Sequence, residues 1–357
     1  MAKSLEDLTS QLLFSARNSI VLRLAMAAFC GIVVEHATAQ TPVIDSIINP
    51  PSLKKVVEVL ASDSLKGRFT GSLHAQTAAF FIAEEFEKAG LGAFGGSDGY
   101  FMPFLTSGEK DTLGINVVGG LKGSSKPDDL VIFCAHYDHV GTKSTNPFNL
   151  YTSRRSMRQG DTIYNGANDN ASGVSALIHL ARYFGQLKNN ERTIVFIAFS
   201  GEELGLKGSL NTVSLLKPEQ VIAVVNIEMI GRPISKKKRK PFITGSNLSD
   251  LQKLLNKKLY ETDGQLYGKK FFSPDPFPEA KLFTRSDNYW FAVKGIPAHT
   301  VMGCGADDEY YHSPGDETST LDFILMETVV RAIAISTSIL VDGTATPSRL
   351  KPEQIDP

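Results

Sequence analysis

The hydrophobic residues of this chain fall into short continuous segments, separated by stretches with helical periodicity. Continuous apolar segments predict buried β-strands, because a strand that is covered on both faces has no polar side. The segments are NVVGGL (116–121), LVIFCA (130–135), TIVFIAF (193–199) and VIAVVNI (221–227). We therefore expect these four segments to form the centre of a sheet.

Between the strands, apolar residues recur with the 3.6-residue period of an amphipathic helix. In residues 74–90, Phe81, Ile82 and Phe86 share one helical face and Gly90 is a stop signal. The predicted helices cover residues 52–62, 74–90, 170–185, a segment starting near 205, and about 321–340. Strands that alternate with helices predict an α/β fold: a single domain with a mixed, mostly parallel sheet and helices on both faces.

Two segments interrupt this alternation. Residues 142–163 are rich in Thr, Ser, Asn and Arg and predict a long irregular loop. Residues 233–240, PISKKKRK, are strongly basic. We interpret them as a solvated turn rather than as a nuclear signal or a nucleic-acid contact.

The N-terminus has the pattern of a secretory signal. Residues 19–34 are apolar with Arg23 as the one charge, Arg17 precedes them, and an A-x-A cleavage site ends at Ala39. We expect a signal peptide over 1–39, export to the periplasm or the medium, and a mature domain over 40–357 with its core at about 50–340. An N-terminal membrane anchor is the alternative.

Composition excludes some classes of partner. The chain has 357 residues, 42% of them hydrophobic, and its 37 Lys and Arg against 38 Asp and Glu leave a net charge of −1. We therefore expect neither nucleic-acid binding nor, in the mature protein, a stable membrane span. The mature chain keeps Cys134 and Cys304, which we expect to be buried thiols, with a disulfide as the alternative.

Polar groups of chemical interest follow the predicted strands directly. They occur in HYDH (136–139), SGEE (200–203) and EMIGR (228–232), while NGANDN (165–170) precedes a predicted helix and YYHSP (310–314) lies in a late loop. Because the carboxyl ends of parallel strands meet at one sheet edge, we expect these groups to form one site.

Imidazole and carboxylate groups together suit zinc or a similar divalent metal. We expect two metal ions, bound by residues that supply three carboxylates and two imidazoles: His136, Asp169, Glu203, Glu228 and His312. Glu202 is then left beside a metal ligand, where a general base is needed. Asp138 is placed to accept the other ring N–H of His136.

These motifs resemble the zinc-dependent aminopeptidase family, which also contains glutamate carboxypeptidase II-like enzymes and glutaminyl cyclases. The resemblance rests on HYDHVG, NGANDNASG, FSGEELGLKGS, NIEMIGR and YYHSPGDE, and extends to LASDSLKGRFTGS (60–72) and SDNYWFAVKGIPA (286–298). It covers about residues 50–340 and implies the phosphorylase/hydrolase-like fold of the zinc exopeptidases.

The resemblance also implies individual roles. Asp169 corresponds to the carboxylate that bridges both metals, Glu203 and His312 complete one metal site, and His136 and Glu228 complete the other. Glu202 corresponds to the catalytic base, and the Asp169–Asn170 peptide to one that is cis in the family. Tyr311 matches a position that supports the oxyanion, with a packing aromatic as the alternative. The family usually has Asp where this chain has Glu228, which still permits metal ligation.

We therefore expect an exported metallo-aminopeptidase that removes N-terminal residues from peptides, using a two-zinc-activated water and Glu202 as general base. Other divalent metals also fit these ligands. The alternatives are a glutaminyl-peptide cyclase with a single zinc, and a zinc carboxypeptidase or dipeptidase. A carboxypeptidase needs a basic pocket, for which Arg232, Arg285 and residues 236–240 are candidates. A non-catalytic binding domain is disfavoured, because the ligands and the base are all present.

The pocket for the first substrate residue is expected from loops 142–163 and 270–290. The phenylalanines of the second loop either line this pocket or pack elsewhere; they are Phe271, Phe272, Phe277 and Phe283.

Overall fold

The computed structural model describes residues 43–95, 99–106, 112–145, 160–305 and 307–355. The chain divides into two units at residues 46 and 47, and the features below all lie in the second unit. The expected signal peptide over 1–39 and most of the 142–163 loop lie outside the described residues.

The described strands form one mixed sheet. They are β1 (Gly92–Ala93), β2 (Phe101–Thr106), β3 (Thr112–Leu121), β4 (Lys126–His136), β5 (Arg192–Phe199), β6 (Val221–Glu228), β7 (Phe242–Ile243), β8 (Ser273–Pro274) and β9 (Ala298–Met302). The sheet order is β1-β3-β5-β4-β6-β9-β7-β8, with β2 paired to β3. The central strands β5, β4, β6 and β9 are mutually parallel, whereas β1, β2 and β3 pair antiparallel.

Helices cover both faces of this sheet. Those described are α1 (Pro50–Leu60), α2 (Leu73–Lys88), α3 (Gly173–Leu187), α4 (Lys207–Leu215), α5 (Leu251–Tyr267), α6 (Asn288–Val293), α7 (Phe323–Ser336) and α8 (Ser338–Val341). Asn49, Ser72 and Asp322 accept backbone N–H groups in the first turns of α1, α2 and α7, which explains where these helices begin.

The side chains of β4 point alternately to the two faces of the sheet and pack against the helices there. Phe133 points to one face, where its ring stacks on Phe184 of α3 at a centroid distance of 5.6 Å. Its neighbours Ile132 and Cys134 point to the other face, in a cluster with Phe291 of α6. Because both faces are covered, this strand has the continuous apolar sequence from which it was predicted.

The fold class expected from the sequence is confirmed. All four predicted strands are present, and the predicted helices occur within a few residues of their expected bounds. The stretch Phe323–Val341 is long and apolar enough to span a membrane, but 61% of it is buried in the domain, as for a core helix. The basic segment 233–240 is a loop that is exposed from residue 235 onward.

Candidate metal centre

The predicted site residues converge at the carboxyl edge of the parallel strands. His136 is the last residue of β4, Glu228 is the last residue of β6, and Glu202 and Glu203 follow β5 closely. Asp169 lies in an irregular turn just before α3. The segment between β9 and α7 places His312 at the same edge. All five predicted metal ligands and the predicted base therefore lie close together.

The two carboxylate oxygens of Asp169 face two different sets of groups. Its Oδ1 lies 3.3 Å from His136 Nε2, and its Oδ2 lies 3.2 Å from His312 Nε2. His312 Nε2 also lies 3.1 Å from Oε2 of Glu203. A carboxylate placed in this way can bind one cation through each oxygen.

Potential ligand atoms form two groups in the described part of the chain. His139, Asp169, Glu203 and His312 make the first group, and His136, Glu202 and Glu228 make the second, with the atoms of each group within 4.8 Å of one another. Both groups are largely buried.

The residues fit zinc. Imidazole nitrogens and carboxylate oxygens are the ligands that zinc accepts besides thiolates. Nε2 of His136 and Oε2 of Glu228 are buried and have no hydrogen-bond partner among the described residues. Since a buried polar atom without a partner is costly, a bound cation is the natural partner for both.

The ionisable side chains around Asp169 shift one another's pKa values strongly. Burial raises the pKa of Asp169, but the nearby imidazoles of His136 and His312 outweigh it and hold this pKa well below its usual value. Burial likewise opposes ionisation of Glu203, yet His312 brings its pKa to about 2. In return, Glu203 and Asp169 raise the pKa of His312 to about 10 in spite of burial.

The second group contains carboxylates that burial keeps from ionising. Burial raises the pKa of Glu202 well above its usual value and that of Glu228 to about 7. Asp287, buried at the start of α6, has its pKa raised to about 7 for the same reason. Several buried carboxylates with raised pKa values are typical of a site that holds cations or moves protons.

Comparison with known proteins identifies the family. The model of the Peptidase family M28 matches residues 116–336, which is more than half of the chain. The chain belongs to peptidase family M28. This confirms the family that the motifs indicated and, at the level of the family, the expectation of a metallopeptidase.

Two relatives match part of this M28 chain. A probable zinc metalloprotease of Pyrenophora teres f. teres is 40% identical over 117 residues, 32% of this chain and 22% of the relative. Aminopeptidase YwaD of Bacillus subtilis is 33% identical over 120 residues, again 32% of this chain and 22% of the relative. The matched segment thus spans less than a quarter of the length of either relative.

Solved structures share the fold. The aminopeptidase from Aneurinibacillus sp. strain AM-1 has a TM-score of 0.59 at 15% identity, covering 88% of this chain and 98% of that one. Porphyromonas gingivalis glutaminyl cyclase has a TM-score of 0.62 at 14% identity, covering 83% and 99%. The likeness confirms the expected fold and does not separate peptidase from cyclase.

Asp138 supports the M28 site through contacts other than the one expected. The ring N–H of His136 reaches the backbone carbonyl of Asp138, with Nδ1 and O 3.2 Å apart, whereas the carboxylate is 3.9 Å away. In the described structure this ring nitrogen therefore contacts the backbone carbonyl of Asp138 rather than the carboxylate that the sequence analysis expected. The carboxylate instead accepts the Thr70 hydroxyl at 2.8 Å and the backbone N–H groups of Glu202 and Glu203 at 3.3 and 3.4 Å. It thereby positions the segment that carries the predicted base.

The turn that carries Asp169 is held from two sides. The Asp316 carboxylate accepts the backbone N–H groups of Asn168 and Asp169 at 3.0 Å. Asn170 donates to the Ile227 carbonyl and accepts from the backbone N–H of Met229, which ties the turn to the end of β6. The Asp169–Asn170 peptide is cis, as the resemblance implied.

His139 is the main site residue that the sequence analysis missed. Its side chain is fully buried, and its Nδ1 lies 2.9 Å from Oε1 of Glu203 and 3.8 Å from Oδ2 of Asp169. The sequence carried a signal, because HYDH contains two histidines three residues apart. Only the first of them was assigned a role.

A small cavity opens beside the candidate metal centre. Besides Asp169, Glu202, Glu228 and His312, its lining residues are Met229, Leu282, Arg285, Met302 and Tyr311. Tyr311 stacks on His312 with ring centroids 3.9 Å apart, so it both packs and faces the cavity. Burial raises the pKa of its hydroxyl well above the usual value, which keeps it a neutral donor.

Loop 270–290 contributes Leu282 and Arg285 to this cavity, but not its phenylalanines. Phe271 packs on Phe272, Phe277 packs on Phe242, and Phe283 packs on His299. The packing alternative for these residues therefore agrees with the structure.

Cys134 and Cys304 are buried free thiols, as expected. Cys134 donates to the side-chain oxygen of Asn226, and Cys304 lies 3.1 Å from the side-chain nitrogen of Asn168.

Proposed function

We propose that this protein is an exported metallo-aminopeptidase with two zinc ions in its active site. The observation that carries the proposal is the arrangement around Asp169, whose two oxygens face His136 on one side and His312 with Glu203 on the other. Membership of a peptidase family supports hydrolysis, and the name of the Bacillus subtilis relative supports removal of N-terminal residues.

Each metal would be held by residues already close together. His136 and Glu228 would hold one zinc ion, Glu203 and His312 the other, and Asp169 would contact both. When bound, zinc polarises a peptide carbonyl and lowers the pKa of water, which is the chemistry that amide hydrolysis needs. Glu228 in place of the usual Asp is compatible with this role, because its Oε2 is buried without a partner in the described structure.

Glu202 is suited to act as the general base. It lines the cavity and lies within the second ligand group, while its neighbour Glu203 faces His312. A carboxylate with a raised pKa accepts a proton more readily than an ordinary one. Glu202 would accept a proton from the attacking water and donate it to the departing amine. The neutral Tyr311 hydroxyl would donate a hydrogen bond to the oxygen that gains charge.

Export is proposed from the sequence of residues 19–39, an apolar segment followed by an A-x-A site. Peptides with a free N-terminus are the proposed substrates.

A panel of aminoacyl p-nitroanilides tests the proposal on the mature protein. Metal-stripped enzyme should be inactive, and zinc should restore release with saturation at two ions per chain. Glu202→Gln should lower kcat at least about a hundredfold while still binding zinc, because it removes the proton acceptor and keeps the fold. Glu353→Gln, an exposed control, should leave kcat unchanged.

Several outcomes would contradict the proposal. Saturation at one ion per chain, together with full activity of Glu228→Ala, would exclude the two-metal site. Conversion of an N-terminal glutamine to pyroglutamate, without release from any anilide, would favour the cyclase alternative suggested by the Porphyromonas fold likeness. Full activity of Glu202→Gln would remove the assigned base.

A further inference from the structure

The cavity beside the candidate metal centre is lined by both acidic and apolar residues. Its apolar side chains are those of Met229, Leu282 and Met302, which belong to one cluster. Arg285 is the one arginine or lysine among the described residues that line it.

Arg285 has no carboxylate partner in the described structure. None of the described ion pairs includes it, and its side chain is exposed at the cavity. Its contacts are two long hydrogen bonds to neutral oxygens, from Nη2 to the Tyr311 hydroxyl at 3.4 Å and from Nη1 to the Ala280 carbonyl at 3.5 Å. Much of its hydrogen-bonding capacity is therefore available to a ligand.

Two other arginines adjoin the site among the described residues, and they differ in this respect. Arg232 forms ion pairs with Asp308 and Asp316, and the buried Arg68 donates to backbone carbonyls, including those of Tyr137 and Gly166. Both therefore serve the protein's own structure. Of the basic residues first considered for a substrate pocket, Arg285 is the one that reaches this cavity.

We propose that Arg285 is a specificity-determining residue that binds a carboxylate of the substrate. The inference rests on the proposed aminopeptidase function and adds a substrate class to it. A guanidinium presents paired N–H donors that match the two oxygens of a carboxylate, and a cation next to an apolar wall selects a ligand with both features. The carboxylate is either an acidic first side chain or the free C-terminus of a dipeptide.

Binding of four short ligands distinguishes these two sources. The zinc-loaded Glu202→Gln variant is used so that the ligands are not consumed, and each Kd is measured by calorimetry. Leu-Gly against Leu-Gly-amide tests the C-terminal carboxylate, and Glu-Gly-amide against Gln-Gly-amide tests the first side chain. In at least one pair, the carboxylate ligand should bind about tenfold more tightly, as expected for a charge-assisted contact.

Arg285→Met in the same background should abolish this preference and leave the Kd of the neutral ligands within about twofold, since Met keeps an apolar side chain of similar length and loses the charged donors that a carboxylate needs. Arg285→Lys should retain part of the preference. Arg239→Met is the matched control, because Arg239 is exposed, pairs with Asp322 and lines a different cavity.

Three results would overturn the inference. One is equal binding within both pairs, and another is a preference that survives Arg285→Met. The third is an equal loss of affinity for neutral and charged ligands in Arg285→Met, which would indicate that Arg285 only positions Tyr311. None of these results depends on turnover, so failure of the aminopeptidase proposal in the anilide assay remains a separate outcome.

Discussion

Glu203 shows how one side chain can be positioned by a residue outside the predicted ligand set. Its Oε1 lies 2.9 Å from Nδ1 of His139, while its Oε2 faces His312. An N–H that holds one carboxylate oxygen leaves the other oriented for a metal, an arrangement common around zinc sites. His139 is therefore better described as a positioning residue for Glu203 than as a spare ligand.

Replacement of His139 should weaken one metal site selectively. His139→Ala removes the N–H donor, so the affinity for the zinc ion near Glu203 and His312 should fall about 10- to 100-fold. The ion near His136 and Glu228 should bind as before. His139→Asn, whose side-chain N–H can take the place of Nδ1–H, should recover part of the affinity. Chelator competition measures the two sites separately, and equal loss of both ions would contradict the assignment.

This contact also marks a limit of prediction from the sequence. The motif HYDH identified His136 and Asp138, but the acceptor of each N–H depends on how the loop after β4 turns. The structure directs His136 to a backbone carbonyl and gives the Asp138 carboxylate to Thr70 and to residues 202–203. Contacts of this kind join segments that are more than sixty residues apart.

Among the elements, strand β9 carries a buried histidine with a defined tautomer. Nδ1 of His299 lies 2.9 Å from the Thr244 carbonyl, so it is the donor, and Nε2 lies 2.7 Å from the Ser249 hydroxyl. Burial lowers the pKa of His299 to about 4, although the Thr244 carbonyl raises it slightly. The ring is therefore neutral in the folded protein at pH 5 to 7.

Acidification should destabilise the fold through His299. Its folded pKa lies below the unfolded value of about 6.5, so its contribution is complete above pH 6.5 and is lost as the pH falls towards 4. Between pH 7 and pH 5, this residue should lower the free energy of unfolding by about 2 kcal/mol. His299→Gln should reduce the pH dependence by that amount in urea unfolding of metal-free protein. An unchanged pH dependence would contradict the prediction, and the exposed Lys294→Gln serves as a control.

Strand identity could be predicted from sequence, but strand direction could not. NVVGGL was correctly expected to be a strand, yet β3 runs antiparallel to its neighbour β5. A continuous apolar segment records burial on both faces, and burial is the same for either direction. Direction depends on the connections, and β3 leads into β4 through a short turn at residues 122–125 rather than through a crossover helix.

The buried Arg68 links the N-terminal part of the domain to the active site. Its guanidinium is fully buried and donates to four backbone carbonyls, those of Leu60, Tyr137, Asn165 and Gly166. These carbonyls lie in three separate segments, two of which carry proposed metal ligands. Residues 47–72 lie outside the part that matches the family model, yet they form one side of the active-site support.

Loss of this link should cost much of the protein's stability. Arg68→Met removes the guanidinium donor from four buried carbonyls, of which the Gly166 carbonyl keeps the backbone N–H of Ala171, so the free energy of unfolding should fall by about 3 to 5 kcal/mol. Arg349→Met is the control, because Arg349 also donates to two carbonyls but is exposed, and it should cost about 1 kcal/mol or less. Urea unfolding measures the free energy of unfolding of both variants. An equal decrease in the two would contradict the prediction, because the buried network would then add no more stability than the exposed one.

The sequence by itself determined the α/β class and the four central strands, and it indicated the residue types of the candidate metal centre. Hydrophobic periodicity records burial, and parallel strands bring the residues that follow them to one edge, so His136, Glu203 and Glu228 could be assigned together. The five motifs, in their order along the chain, indicated the family, because each contains a side chain with a role in the proposed chemistry.

Only the tertiary structure decided which atoms meet. It paired His139 with Glu203, directed the two oxygens of Asp169 to different partners, and occupied Arg232 with Asp308 and Asp316. It also left Arg285 at the cavity without a carboxylate partner among the described residues. The physical reason is that a hydrogen bond or an ion pair is gained or lost when the donor–acceptor distance changes by a few tenths of an ångström. That distance is set by packing between distant segments rather than by local sequence.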